Sequence, residues 1–264
     1  MIRIRSCSGM NEMQACVDLQ METWGYDESD VIPRKTFLLA QKIGGQVIGA
    51  FETGSEGARE QGSKEERETL VGFAMSLPGL KSTPQGPQPY IHSHMLAVRP
   101  SHRNRGLGAQ LKWEQRHEAL SRGIRHMEWT FDPLEIKNAF INIHRLGAIS
   151  REYRVDFYGV SSSRLQGGLP TDRLLAEWEL DSPRVEALLA RRPAAARTIE
   201  ERIVVPVSIE QWKANKVTRR RAFDVQFENQ QKFQKAFSRG LAVLDFSLDG
   251  EGNGVYGLGP LSSS

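Results

Sequence analysis

Two cysteines in 264 residues, Cys7 and Cys16, are too few for a disulfide framework, and their spacing matches no zinc site. No stretch reaches the ~18 uninterrupted apolar residues that a membrane span needs. Met1 runs straight into Ile2-Arg3-Ile4-Arg5, with no apolar leader and no small-residue cleavage site, so the expected address is a reducing cytoplasm, away from membranes. Charge of one sign is also lacking. The net charge is +3, the basic residues are scattered and no aromatic residues interleave with them, which argues against a nucleic-acid partner. What is present is an ordinary soluble composition, 39% hydrophobic and 25% charged, in a chain long enough for one large domain or two small ones. Oligomeric state is not legible, and homo-oligomerisation stays open.

Alternation over residues 3–5 reads as a short strand. Asn11 with Gln14 reads as a capping box for a helix that ends at Gly25, and Pro33 opens a second helix. Residues 46–52 and 70–77 read as strands, and 54–68 between them, rich in Gly, Ser and mixed charge, as a mobile hairpin loop. The four prolines within 78–89 predict an irregular loop leading into a strand over 90–98. A turn over 99–105, a helix over 107–122, a strand over 126–131 and a helix from Asp132-Pro133 to about Leu146 follow. In the first of these helices Ala109, Trp113, Leu120 and Ile124 make an apolar stripe, with Leu107 and Leu111 opposite, which predicts burial between layers. Residues 149–158 and 173–180 read as strands around a loop, and Ser182-Pro183 as a helix start. A small β-α-β-β unit closes the chain. It has a strand over 203–207, then one long helix capped by Ser208 and Gln211 with Trp212, Phe223, Phe227 and Phe237 on its buried face, and two last strands.

The sharpest chemical feature is Arg103-Asn104-Arg105-Gly106-Leu107-Gly108, set between a strand and a helix. A helix start presents unpaired N–H groups and the positive end of the helix dipole, which suits an anion. Glycines there let the backbone approach a pyrophosphate, and arginines at the rim can meet its oxygens. Read alone, the same pattern also describes a glycine-rich turn that binds nothing. Just upstream, His92 and His94 stand two apart on the strand, so both side chains leave one face about 7 Å apart along the chain. Imidazoles so placed can relay a proton near neutral pH, can be structural, or can begin a metal site whose third and fourth ligands are not beside them in sequence.

The run HSHMLAVRPSHRNRGLGAQL, residues 92–111, resembles the central strand-to-helix motif of the GNAT acyltransferase superfamily. That resemblance implies an α/β (α+β) fold with a central mixed, mostly antiparallel twisted sheet flanked by helices. It is expected over residues 1–180, with 181–264 as a C-terminal β-α-β-β extension or an incomplete second copy. It also implies acetyl-CoA or another acyl-CoA as co-substrate. The pyrophosphate would lie on Arg103, Asn104, Arg105, Gly106, Leu107 and Gly108, and the pantetheine along the backbone of Met95, Leu96, Ala97 and Val98, with Asn138 nearby. HSHMLAV further resembles the His-x-His strand of serotonin N-acetyltransferase, which implies His94 and His92 as the catalytic proton relay; no metal is expected. The tyrosine that many family members use as an acid is replaced by Ile143, with His144, Tyr153 and Tyr158 as weaker substitutes. The stretches WTFDPL, NAF, RLGA and YRVDFYG resemble a little-characterised branch that includes amino-acid N-acyltransferases, among them succinyl-CoA users. Asp132 is either a turn opener or the group that binds a substrate ammonium. Arg219, Arg220 and Arg221 splay around a helix and read as a solvated face. The functional expectation is transfer of an acyl group to a small-molecule primary amine, with an amino acid as a candidate. A protein-lysine acetyltransferase and a non-catalytic acyl-CoA-binding module are the alternatives.

Overall fold

A computed structural model describes residues 1–27, 30–53, 68–163 and 166–261, and the chain divides into two compact units, Met1–Ile124 and Arg125–Ser264. The α/β class is as expected, with mostly antiparallel strands flanked by helices. The position expected for a domain boundary, residue 180, falls inside the second unit, between its third strand and the helix that follows. The loop expected over 54–68 lies, up to residue 67, outside the described residues.

The first unit holds strands β1 (Ile2–Ser6), β2 (Gln46–Thr53), β3 (Glu68–Thr83) and β4 (Gly86–Val98), paired antiparallel in chain order, and helices α1 (Gly9–Trp24), α2 (Arg34–Lys42) and α3 (Leu107–Ser121). Period-two alternation sorts the strand side chains between two cores. Val47, Phe51, Phe73, Met75, Met95 and Ala97 meet Met13, Cys16, Leu19, Phe37 and Ala40 of α1 and α2. Ile48, Ala50, Val71 and Ala74 meet Leu107 and Leu111 of α3. Each large side chain buried this way stabilises the unit by about 1.5–3 kcal/mol relative to exposure. The start of α1 differs from expectation. It begins at Gly9 with Ser8 as N-cap, and the Ser8 amide donates to the Glu12 carboxylate at 2.7 Å. Gly25 ends it in a left-handed conformation, φ 62°.

Residues 78–89 correct the sequence reading: they are not a loop but the outer part of the β3–β4 hairpin. Pairing runs out to Thr83↔Gly86 around a two-residue turn, Pro84-Gln85. The prolines are tolerated because of where they fall. Pro78↔Ile91, Leu80↔Pro89 and Ser82↔Pro87 are alternate pairs. With Thr83↔Gly86 as the hydrogen-bonded closing pair, all three prolines sit at non-hydrogen-bonded positions, where a missing N–H costs the ladder nothing. Gly79 matters here as well: a Cβ on it would lie 2.4 Å from the Tyr90 ring, which covers it from the opposite strand.

The apolar stripe expected on α3 is corrected too. Its buried residues are Leu107, Leu111, Lys112, Gln115, Arg116 and Ala119, while Ala109, Trp113 and Leu120 are only half-buried. Half of the buried face is polar, which hides it from a hydrophobic pattern.

The second unit holds β5 (His126–Phe131), α4 (Ile136–Ala139) running into a π-helical turn (Phe140–Arg145), β6 (Ile149–Arg154), β7 (Arg173–Glu179), α5 (Pro183–Leu189), β8 (Glu201–Val205), α6 (Ile209–Ala214), α7 (Arg219–Ser238), β9 (Leu241–Leu248) and β10 (Gly254–Pro260). Its strands lie in the order β5-β7-β6-β9-β10-β8 and pair antiparallel. The closing segment therefore continues the sheet of β5–β7, joined at Ser150↔Val243. Ser182 caps α5 as expected, accepting from the Val185 amide.

The single long helix expected after Ser208 is two. Asn215 ends α6, its side chain accepting from the Val217 amide at 2.9 Å, a local turn that competes with helix. Ser208 makes no side-chain cap. On α7 the buried face is Ala222, Gln226, Asn229, Phe233 and Ala236, so Phe223 and Phe227 are exposed, one position out of phase with the expected stripe.

Candidate active site

The strand-to-helix junction of the first unit is built from several anchored pieces. Arg99 donates its amide to Val71 at 2.8 Å, and residues Pro100–His102 form one 3-10 turn. His102 is buried between Ser101 Oγ, 2.9 Å from Nδ1, and Glu52 Oε2, 3.2 Å from Nε2, which ties the turn to the end of β2. Arg103 Nε donates to the Val98 carbonyl at 3.0 Å. Asn104 and Gly106 then take left-handed conformations, φ 61° and 79°, and Gly106 caps α3.

The first turn of α3 receives no side-chain cap and contains no acidic residue, so its amides and dipole face outward uncompensated. Arg103, Asn104, Arg105 and Gly106 around it are exposed. Gly108 is helical, and a Cβ there would make only an ordinary 3.5 Å contact with Leu96. Nothing in the chain itself requires glycine at that position, although glycine costs a helix about 1 kcal/mol relative to alanine. A cradle that a Cβ would partly fill, with exposed amides and arginines, fits the pyrophosphate of a CoA ester.

β4 leads into that cradle with one extra residue. Met75 pairs with Met95 and Ser76 with Ser93, so His94 has no partner on β3. Its ring lies 6.2 Å from that of His92, centroid to centroid, so the two imidazoles share a face as their spacing predicts. His94 is exposed at its surface, yet the surrounding protein lowers its pKa, first through desolvation and second through the nearby His92. A neutral imidazole that keeps contact with water can accept a proton. Among the described residues no group of three His, Cys, Asp or Glu side chains is placed to hold a metal ion.

The first unit thus brings together His92, His94, Met95, Leu96, Ala97, Val98, Arg103, Asn104, Arg105, Gly106, Leu107 and Gly108 in one continuous stretch. Asp132 and Asn138 belong to the second unit. Asn138 is exposed on α4. Asp132 is already committed: Oδ1 accepts from the Leu134 amide at 2.8 Å, and Oδ2 takes the Lys213 ammonium at 2.8 Å. The turn-opener reading accounts for it. Lys213, which sequence reasoning did not single out, also reaches Glu135 at 2.9 Å and is buried.

Ile143 and Tyr153 are buried, and Tyr153 donates its hydroxyl to Asp172 at 2.7 Å; burial first and Asp172 second push its pKa upward. His144 stacks on Phe140, and Tyr158 is hydrogen-bonded to Thr130 at 2.8 Å. Arg220 is exposed and pairs with Asp224, in keeping with a solvated face.

Residues 14–147, just over half of the chain, match the family model described as Acetyltransferase (GNAT) family. No curated protein matches the chain. Among solved structures it is similar to the ribosomal-protein-S18-alanine N-acetyltransferase from Escherichia coli, at 14% identity and TM-score 0.47, over 69% of this chain and 96% of that one. It is also similar to yncA from Salmonella typhimurium, solved with its cofactor acetyl-CoA, at 17% identity and TM-score 0.49, over 69% and 95%. A third is Arabidopsis thaliana NAA60 in complex with a bisubstrate analogue, at 15% identity and TM-score 0.47, over 67% and 98%.

Proposed function

The chain belongs to the acetyltransferase (GNAT) family, and from that premise we propose that it moves an acyl group from acetyl-CoA or a related acyl-CoA to a primary amine of a small molecule. The observation that carries this reading is the start of α3, free of side-chain caps and acidic residues and with its unforced glycine, placed directly after a strand that bears two histidines on one face, His94 with a lowered pKa. In this reading the amides from Arg103 to Gly108 hold the pyrophosphate, and the backbone of Met95–Val98 contacts the pantetheine arm. The acyl-CoA supplies an activated thioester. His94, alone or through His92 and water, removes the proton that an attacking ammonium must lose. The backbone amide of Leu96 or Ala97 stabilises the developing oxyanion.

The β3–β4 hairpin supports a confined acceptor. Tyr90 and His92 lie on one face of β4, two residues apart with unbroken register between them, and the Tyr90 ring closes over Gly79. An aromatic side chain beside the base suits a small amine better than an extended peptide.

The test is release of CoA thiol with acetyl-CoA and succinyl-CoA against pooled D- and L-amino acids and polyamines. Turnover with one pool supports the reading and names both substrates. No release from any pool, with the protein still stabilised by CoA, would favour a binding role or a macromolecular acceptor.

A further inference from the structure

Between the two histidines, Ser93 points to the opposite side of β4 and is buried. Its Oγ accepts from Lys112 Nζ at 2.7 Å and donates to Gln115 Oε1 at 2.9 Å. The Gln115 carbonyl accepts from Gln46 Nε2 at 2.8 Å. Gln46 in turn accepts at Oε1 from Ser76 Oγ and donates its amide to that same oxygen, both at 3.0 Å. Ser76 is the cross-strand partner of Ser93. The circuit runs through β2, β3, β4 and α3 and branches from Gln46 Nε2 to Glu118, and its five side chains are buried, Ser76 and Gln115 completely.

This polar circuit lies on the α3 side of the sheet, the same side on which Ile48, Ala50, Val71 and Ala74 meet Leu107 and Leu111. An apolar layer would be less costly there. Buried hydroxyls and amides gain little net stability from their mutual bonds, and burying an amine is worse: desolvation holds the Lys112 pKa well below its ordinary value. What such a network supplies is a fixed geometry. Its position says what is being fixed. The register of β3 against β4 shifts between Met75 and Ser76, so the pair that the network holds, Ser76↔Ser93, is the pair adjoining the bulged His94. At its other end Lys112 lies five residues into α3, about 7.5 Å of helix rise from the anion-facing Leu107.

We propose that Lys112, Ser93 and Gln115 are positioning residues that fix the His94 bulge relative to the start of α3, and so set the position of the base relative to the thioester of an acyl-CoA whose pyrophosphate lies on the cradle. The catalytic part of this inference rests on the acyl-transfer reading above; the structural part does not.

Two readouts separate them. The first needs no turnover: proton NMR titration of the His94 ring in the full chain, compared with Ser93→Ala and Lys112→Met. The His94 resonance is expected to shift or broaden and its titration to move toward the ordinary histidine value in both variants, with Ser93→Thr, which keeps the hydroxyl, restoring the parent behaviour. An unchanged His94 titration in folded Ser93→Ala overturns the proposal. If Lys112→Met does not fold, Ser93→Ala, which removes a single oxygen, carries the test. The second readout is kinetic, with whichever acceptor turns over. Both variants are expected to lose roughly 10- to 100-fold in kcat, the scale of a misplaced reacting group, with the KM for acyl-CoA held within about twofold. The double variant should be no worse than Ser93→Ala. A rise in acyl-CoA KM at unchanged kcat would also overturn the proposal. A His94 ring that responds in a protein showing no turnover would uphold the positioning role and count against acyl transfer.

Discussion

Lys213 Nζ lies 2.8 Å from Asp132 Oδ2, and the lysine side chain is only 4% exposed. Burial works against its charge, but Asp132 and Glu135 outweigh that effect and hold its pKa above the ordinary value. The carboxylate that the sequence offered as a binder of substrate ammonium has its ammonium from 81 residues away in the same chain.

This makes a stability prediction. Lys213→Met leaves Asp132 and Glu135 together without their cation and should cost about 3–5 kcal/mol in urea unfolding, the range for breaking a buried pair from one side. Asp132→Asn leaves Glu135 to hold Lys213 and should cost less. Its acceptor KM should stay near the parent's. A large rise in acceptor KM with unchanged stability would return Asp132 to the substrate site.

A second prediction concerns pH. The lowered His94 pKa means that its neutral form persists to more acidic pH than an ordinary histidine's. As a base it must be neutral, so kcat/KM for the acceptor should rise with pH through an inflection below about 6.5. His94→Ala should remove that inflection. His92→Ala should move it upward, because the His92 charge is the second cause of the lowering, but not all the way, because desolvation remains. An inflection that ignores both substitutions would take the pair out of the mechanism.

How much of this was legible turns on distance along the chain. Residues 92–108 are a strand, a turn and a helix start in immediate succession, so that local geometry was legible in the sequence. The support beneath them was hidden because Lys112, Gln115 and Arg116 interrupt the apolar pattern of α3 on its buried side. The hairpin was misread because proline's cost in a strand depends on ladder position, which the remote closing turn determines. Lys213 pairs with Asp132 across a separation that no local pattern encodes.

The hairpin gives a third prediction. Pro87→Ala and Pro89→Ala should leave stability within about 0.5 kcal/mol, the range for surface changes without a special role. Gln88 lies between them in the alternate class of pair, opposite Lys81. Gln88→Pro should therefore break a ladder bond worth about 1 kcal/mol and speed amide exchange in the outer hairpin, seen by hydrogen exchange. Equal behaviour of Gln88→Pro and Pro87→Ala would contradict the register.

A fourth prediction follows from the buried amine. Lys112 has a lowered pKa in the folded chain, so the unfolded state binds more protons between that value and about 10.4, and stability rises with pH across this window. Lys112→Met should lack this rise. The stability difference between parent and variant, followed by urea unfolding at successive pH values up to about 10.4, should shift in the parent's favour as pH increases. A difference independent of pH would mean that Lys112 titrates normally.

The two cradle glycines should separate folding from binding. Gly106 holds φ 79°, where an L side chain is strained by about 1–2 kcal/mol, so Gly106→Ala should lower stability by that amount and bend the cradle. Gly108 sits in ordinary helix, and its added methyl would meet only Leu96 at 3.5 Å. Gly108→Ala should therefore leave stability unchanged or raise it by up to about 1 kcal/mol, since alanine is the better helix former. The same methyl projects from the first turn of α3, where the pyrophosphate must approach the amides, so affinity for CoA should fall about tenfold, or about 1.4 kcal/mol. Calorimetric titration with CoA beside thermal unfolding without it measures both halves. A Gly108→Ala protein that binds CoA as tightly as the parent would move the anion site away from this helix start.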